Sequence, residues 1–168
     1  NVVLKAAQTW PLEIDAAHSG SVTLQTTPEG LTLKLTTKDP TIAPLDRWDL
    51  FFDFRPFDQR YGLYERGVFQ AQIFPAKDAK TPASWVPGTG PVHPSLTVSG
   101  TCETDGTTTT VQLSWAEVKK LTGKPPSSFG FAVTLNSHDG KAKEDVVQKY
   151  LFSDIMADGL NNGWANIQ

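Results

Sequence analysis

Apolar and polar residues alternate at a two-residue period over much of this chain, as they do in strands with one buried face. The strongest run spans residues 46–75. Leu50, Phe52 and Phe54 alternate with Asp49, Phe51, Asp53 and Arg55; beyond a loop at 56–66, Phe69, Ala71 and Ile73 alternate with Val68, Gln70, Gln72 and Phe74. Pairing these two runs in one sheet would place Asp49, Asp53, Arg55, Gln70 and Gln72 on a shared surface. Core packing does not require such a polar row, so it is the first candidate for a binding platform. The charged and aromatic loop residues Arg60, Tyr61, Tyr64, Glu65 and Arg66 form a second candidate contact surface.

The remaining pattern predicts further short strands. Weak pieces near 2–6 and 12–15 are separated by Pro11. Val22 and Leu24, the turn Thr27-Pro28-Glu29-Gly30, and Leu31, Leu33 and Leu35 read as a hairpin. The proline- and glycine-rich stretch 77–95, which carries Trp85, is expected to be irregular. Leu96, Val98 and Cys102 share a parity that makes the cysteine a core filler, and the Asp105-Gly106 turn returns the chain through Thr109, Val111, Leu113 and Trp115. Ser114-Trp115-Ala116-Glu117 matches a capping box that opens a short helix, stopped by Gly123, Pro125 and Pro126. Phe129, Phe131, Val133 and Leu135 mark another strand ending at Asn136, with weaker ones at 146–152 and 164–167. Trp10 and Trp164 are expected to fasten strand ends to the body. The reading is an all-β chain, an antiparallel β-sandwich with jelly-roll-like, immunoglobulin-like layer packing and one short helix.

Composition narrows the function. A length of 168 residues fits a single domain, residues 1–168, able to bury a proper core. A net charge of −3 argues against a nucleic-acid partner bound through phosphate neutralisation. No apolar run reaches a membrane span, so no membrane partner is expected. Asn1 in first place is what a processed or excised piece presents. A single cysteine, Cys102, leaves no internal disulfide and no cysteine metal cluster.

Catalytic signatures are missing from the sequence: no glycine-flanked nucleophilic serine, no HExxH and no phosphate loop. Asp49 and Asp53 face the same way but stand four strand residues apart, roughly 13 Å at about 3.3 Å each. Glycosidase carboxylate pairs sit at about 5–9.5 Å. His18, His93 and His138 show no metal-ligand spacing.

Three features occur in an order that resembles carbohydrate-binding module family 9 and its DOMON-like relatives. An acidic residue opens an FFD-like strand (Asp49-Leu50-Phe51-Phe52-Asp53), a Ser-Trp-Ala-Glu helix start follows, and then Phe129-Gly130-Phe131-Ala132-Val133-Thr134-Leu135-Asn136 with Asp139-Gly140. Together they span about half of the chain. The resemblance implies a jelly-roll-like sandwich that binds carbohydrate on one sheet face, as a non-catalytic accessory domain of a secreted or periplasmic polysaccharide-active enzyme. A catalytic domain in the same chain is then a partner. No cofactor is required, though some members carry structural calcium, for which Asp139 is the candidate ligand. Asp49 matches the acidic residue that contacts sugar hydroxyls, and Asn136 the asparagine ending the later strand. Where the sugar-binding prototype has two sandwiching tryptophans, this chain has Ile42, Ala43 and Pro44, and then Ser137, His138 and Asp139. Trp48 and Trp85 are the candidate replacements, because sugar C–H faces pack on aromatic rings. The ligand set read from sequence is therefore Trp48, Asp49, Asp53, Arg55, Gln70, Gln72, Trp85, Asn136 and His138. The contrary reading is a structural or interaction domain that kept the sandwich and docks against a catalytic domain.

Overall fold

A computed structural model describes residues 7–39, 46–60, 64–138, 146–152 and 165–167. In chain order these form β1 (Gln8–Glu13), β2 (Ser19–Thr26), β3 (Gly30–Lys38), β4 (Arg47–Asp53), β5 (Val68–Phe74), β6 (Ser84–Pro87), β7 (Thr97–Glu103), β8 (Gly106–Ser114), α1 (Trp115–Thr122), β9 (Phe129–His138), β10 (Val146–Leu151) and β11 (Ala165–Ile167). One sheet runs β1-β2-β3-β8-β7. The other runs β10-β9-β4-β5-β6, with β11 also pairing β9. Every pairing is antiparallel. The described residues form an antiparallel two-sheet β-sandwich with one α-helix.

The alternation explains the layers. Leu31, Leu33 and Leu35 of β3 meet Trp48, Leu50 and Phe52 of β4 and Phe131, Val133 and Leu135 of β9 in one core. Phe52 sits at its centre, with ring centroids 5.4 Å from Phe69 and 5.3 Å from Phe131. The β2–β3 hairpin closes where expected, through reciprocal hydrogen bonds between Thr27 and Gly30. At the edge of the sandwich Trp10 packs against the core and meets Phe152 edge-on at 5.2 Å. Trp164 lies outside the described residues.

Several expectations are corrected. β1 runs straight through Pro11, because it pairs only with β2 and an edge strand loses no ladder bond to proline. The stretch 77–95 contains β6, a four-residue edge strand ending in Pro87. Cys102 is half-buried on the edge strand β7 rather than a core filler. In α1, Ser114 Oγ accepts from Glu117 N, as a cap should. Glu117 does not complete the box; its carboxylate accepts instead from Ser95 N and Lys120 Nζ.

Candidate functional site

The outer face of the second sheet carries the predicted polar residues, and its register explains how they meet. Asp49 stands opposite Gln72 on β5 and Thr134 on β9, while Arg47 stands opposite Asn136. A two-residue period then keeps Arg47, Asp49, Gln70, Gln72, Thr134 and Asn136 on one face. Asp49 is the hub. Its Oδ1 accepts from Gln70 Nε2 at 3.1 Å and from Arg47 Nε at 3.1 Å, and its Oδ2 accepts from Asn136 Nδ2 at 2.7 Å. Gln70 is held from its other end, where Oε1 accepts from Thr89 N at 3.1 Å. The loop following β6 presses so close here that a Cβ on Gly88 would lie 2.7 Å from Gln70 Cδ, so a larger residue would have to displace the Gln70 side chain.

This arrangement differs from an open polar platform. Asp49, Gln70 and Asn136 are buried, and all ten positions of β9 are buried on both faces. Arg47 and Gln72 are half-buried and form the reachable rim of the cluster. Within it, the hydroxyl of Thr134 is buried without a hydrogen-bond partner. Arg47 and Thr134 were not singled out from sequence. The signal for Arg47 was its two-residue spacing from Asp49; for Thr134, its two-residue spacing from Asn136.

Asp53 and Arg55 do not join this cluster. They form their own fork: Arg55 Nε donates to Asp53 Oδ1 at 3.0 Å and Nη2 to Oδ2 at 2.8 Å. An apolar patch of Phe51, Val68 and Ala132, capped by Tyr64, divides the two groups. Of the loop candidates, Arg60 and Arg66 turn back onto the body and Tyr64 packs on the apolar patch, whereas Glu65 stays exposed with its carboxylate 3.8 Å from Arg55 Nη1; Tyr61 lies outside the described residues. Arg60 Nε donates to Arg55 O, and Arg66 donates to Leu121 O and Lys120 O at the end of α1. Burial pushes the Tyr64 phenol up to about 12, with the Asp53 charge adding to the effect.

The aromatic candidates fall elsewhere. Trp48 is fully buried between the sheets, on the opposite side of β4 from Asp49, and is corrected from ligand contact to core. Trp85 pairs with Ile73, shares its inward face and lies half-buried against the core, on the other side of the sheet from Asp49. His138 comes to the Asn136 end of the same face but is buried. Its backbone N–H donates to Asp46 Oδ1 at 2.6 Å and its Nδ1 lies 3.4 Å from the same oxygen, which fastens the start of β4 to the end of β9. Asp139, the candidate calcium ligand, lies outside the described residues. Among the described residues no three His, Cys, Asp or Glu side chains are grouped to hold a metal. No helix among them is long and apolar enough to cross a membrane.

Neither a protein-family model nor a curated protein matches the chain. A solved structure does resemble it: a carbohydrate binding module family 9 from Caldicellulosiruptor kristjanssonii, in complex with cellotriose. The likeness has a TM-score of 0.73 at 12% identity and covers 96% of this chain and 82% of that one. At that identity the likeness concerns the fold, which is of the family 9 type.

Proposed function

We propose that the chain is a non-catalytic carbohydrate-binding module, an accessory domain of a secreted or periplasmic polysaccharide-active enzyme. Sugar would sit on the outer face of the second sheet, at the rim of the cluster formed by Arg47, Asp49, Gln70 and Asn136. The observation that carries this reading is the shared Asp49 carboxylate, which accepts hydrogen bonds from three different side chains on three adjacent strands. A stable sandwich has no need of such a network, whereas fixed donors and acceptors are what vicinal sugar hydroxyls require. The fold likeness to a module whose structure holds cellotriose supports the same class of ligand. In this arrangement Asp49 acts by orienting its three partners, and Arg47 and Gln72 meet the solvent-facing side of the sugar.

The test is a panel of neutral mono-, oligo- and polysaccharides measured by calorimetry against the wild-type chain and Asp49→Asn. An amide at this position turns an NH2 towards groups that are themselves donors. The partners then lose the acceptor that orients them towards the sugar, so affinity should fall by about tenfold. An unpaired donor lowers stability by about 1–3 kcal/mol, while the melting transition stays cooperative. Saturable binding that survives Asp49→Asn unchanged would remove the cluster from the site.

A second reading is favoured by one observation. The sheet face is covered along β9, and neither Trp48 nor Trp85 stands on it. That is what a structural or docking domain that has given up its sugar platform would present. Failure of every saccharide to bind the folded chain would decide for it.

A further inference from the structure

β4 and β9 also frame a second site, at their other end. Where β4 leaves the sheet and the chain enters β9, a cleft of about 470 Å³ opens between the turn at 57–59 and the segment that follows α1. The volume falls in the usual range for small-ligand pockets, about 300–1,000 Å³. The cleft shares no lining residue with the Asp49 cluster, and β4 alone puts Asp53 roughly 13 Å from Asp49 at about 3.3 Å per residue, so the two sites do not overlap.

The chemistry of the lining is specific. Phe57 is 64% exposed, although it lies beside a packed sandwich edge. The guanidinium of Arg60 stands over its ring, 5.5 Å from the centroid. Arg60 is itself only 7% exposed, and bonds from its Nε to Arg55 O and from its Nη2 to Ser128 Oγ, each 2.8 Å, help to fix it. Burial lowers its pKa from the ordinary arginine value, with the charge of Asp53 working the other way, and it remains a cation. Lys124 supplies a second positive group to the lining. Arg55 lines the cleft as well, but its charge is balanced by Asp53. Asp58, on the same turn, is not part of the lining.

The end of α1 adjoins this cleft and would ordinarily repel an anion, because helix C-terminal carbonyls carry partial negative charge. Here three of the last four, those of Lys119, Lys120 and Leu121, are already satisfied. Arg66 donates to Lys120 O and Leu121 O, Gly123 N donates to Lys119 O and Thr122 Oγ1 to Val118 O. A smaller cleft of about 200 Å³, which includes Trp115 and Phe129, shares Pro125, Pro126 and Ser127 with the first. The lining thus continues past a single ring.

We propose that this cleft is a second saccharide subsite, selective for sugars that carry a carboxylate: uronic-acid residues of an acidic polysaccharide. Such a ring offers a C–H face to Phe57 and a carboxylate to Arg60 and Lys124, with Gln59 and Ser127 beside its hydroxyls. An immobilised guanidinium beside an exposed aromatic ring holds a carboxylate more strongly than a neutral hydroxyl, because both groups of the pair are charged. The inference extends the carbohydrate reading to a separate place on the molecule and does not require the Asp49 cluster to bind anything.

The experiment titrates the whole chain with trigalacturonate and with its fully methyl-esterified form, by calorimetry and by amide chemical shifts. Wild type should bind the acid form, with shifts concentrated at residues 57–60 and 124–128, and binding should weaken as salt is raised. Phe57→Ala and Lys124→Gln should each weaken it about tenfold, the loss of one stacking or charge contact. Both side chains project from the surface, so the folded melt should persist. Asp49→Asn should leave acid-sugar binding unchanged, which separates the outcome from that of the neutral-sugar panel. Equal affinity for the methyl ester, no binding by folded wild type, or loss in Asp49→Asn with Phe57→Ala silent would each overturn the proposal.

Discussion

At the residue scale, what a polar side chain does here depends on whom it faces. Asp49 and Asp53 share a strand, a face and a chemistry, yet one gathers three partners while the other is locked in a fork with Arg55. Phe51 stands between them in sequence and Tyr64 covers the gap. Tyr64 gives this patch a measurable pH signature. The unfolded chain loses the phenol proton near 10, whereas the folded chain keeps it to about 12. Unfolding therefore releases a proton between those values, and the stability that Tyr64 contributes is full below pH 10 and declines as pH rises towards 12. Urea unfolding at pH 9, 10 and 11 should show a fall in stability that is smaller in Tyr64→Phe. Parallel curves for the two proteins would disprove the assignment.

At the scale of elements, short devices hold long strands in register. The serine cap of α1 is one: Ser114 satisfies an amide of the first turn, and Trp115 Nε1 donates to Thr27 O at 2.9 Å, tying the helix start to the β2–β3 turn. Ser114→Ala should cost about 1 kcal/mol of unfolding free energy without altering the fold, read from the denaturation midpoint at constant slope. The capping motif was legible because it is local. The partner of Glu117 was not, because Ser95 comes from 22 residues away and only the packed structure brings its amide within reach.

At the scale of the whole molecule, the sandwich depends on how closely its two sheets approach. Gly20 of β2 marks one such point. A Cβ there would lie 2.9 Å from Trp48 Cη2 in the other sheet, 2.9 Å from Thr36 O and 3.0 Å from Leu135 Cδ2. Gly20→Val should therefore destabilise the chain by about 1–3 kcal/mol through overpacking, visible as a lower melting temperature and a changed Trp48 emission. An unchanged melt would mean that the sheets separate freely at this end. The same closeness explains why Trp48 is unavailable to a ligand: it fills the space that the glycine leaves.

The sequence alone determined which residues face together. Strand side chains alternate strictly, so the runs at 46–75 and 129–136 carried their own inside and outside. From this the sandwich, the β2–β3 hairpin, the helix start and the shared face of Asp49, Gln70 and Asn136 all followed. Tertiary structure decided what parity cannot express: which face is inner for an isolated tryptophan, and whether an outer face stays open. Tryptophan suits both a core and a platform, and only the register with Leu135 and Ile73 turns Trp48 and Trp85 inward. The polar row became a buried network because loops distant in sequence fold over it, and the Phe57 cleft exists only where two such loops meet. Alternation is a property of neighbouring residues, whereas coverage is a property of chain segments whose meeting the local pattern does not encode.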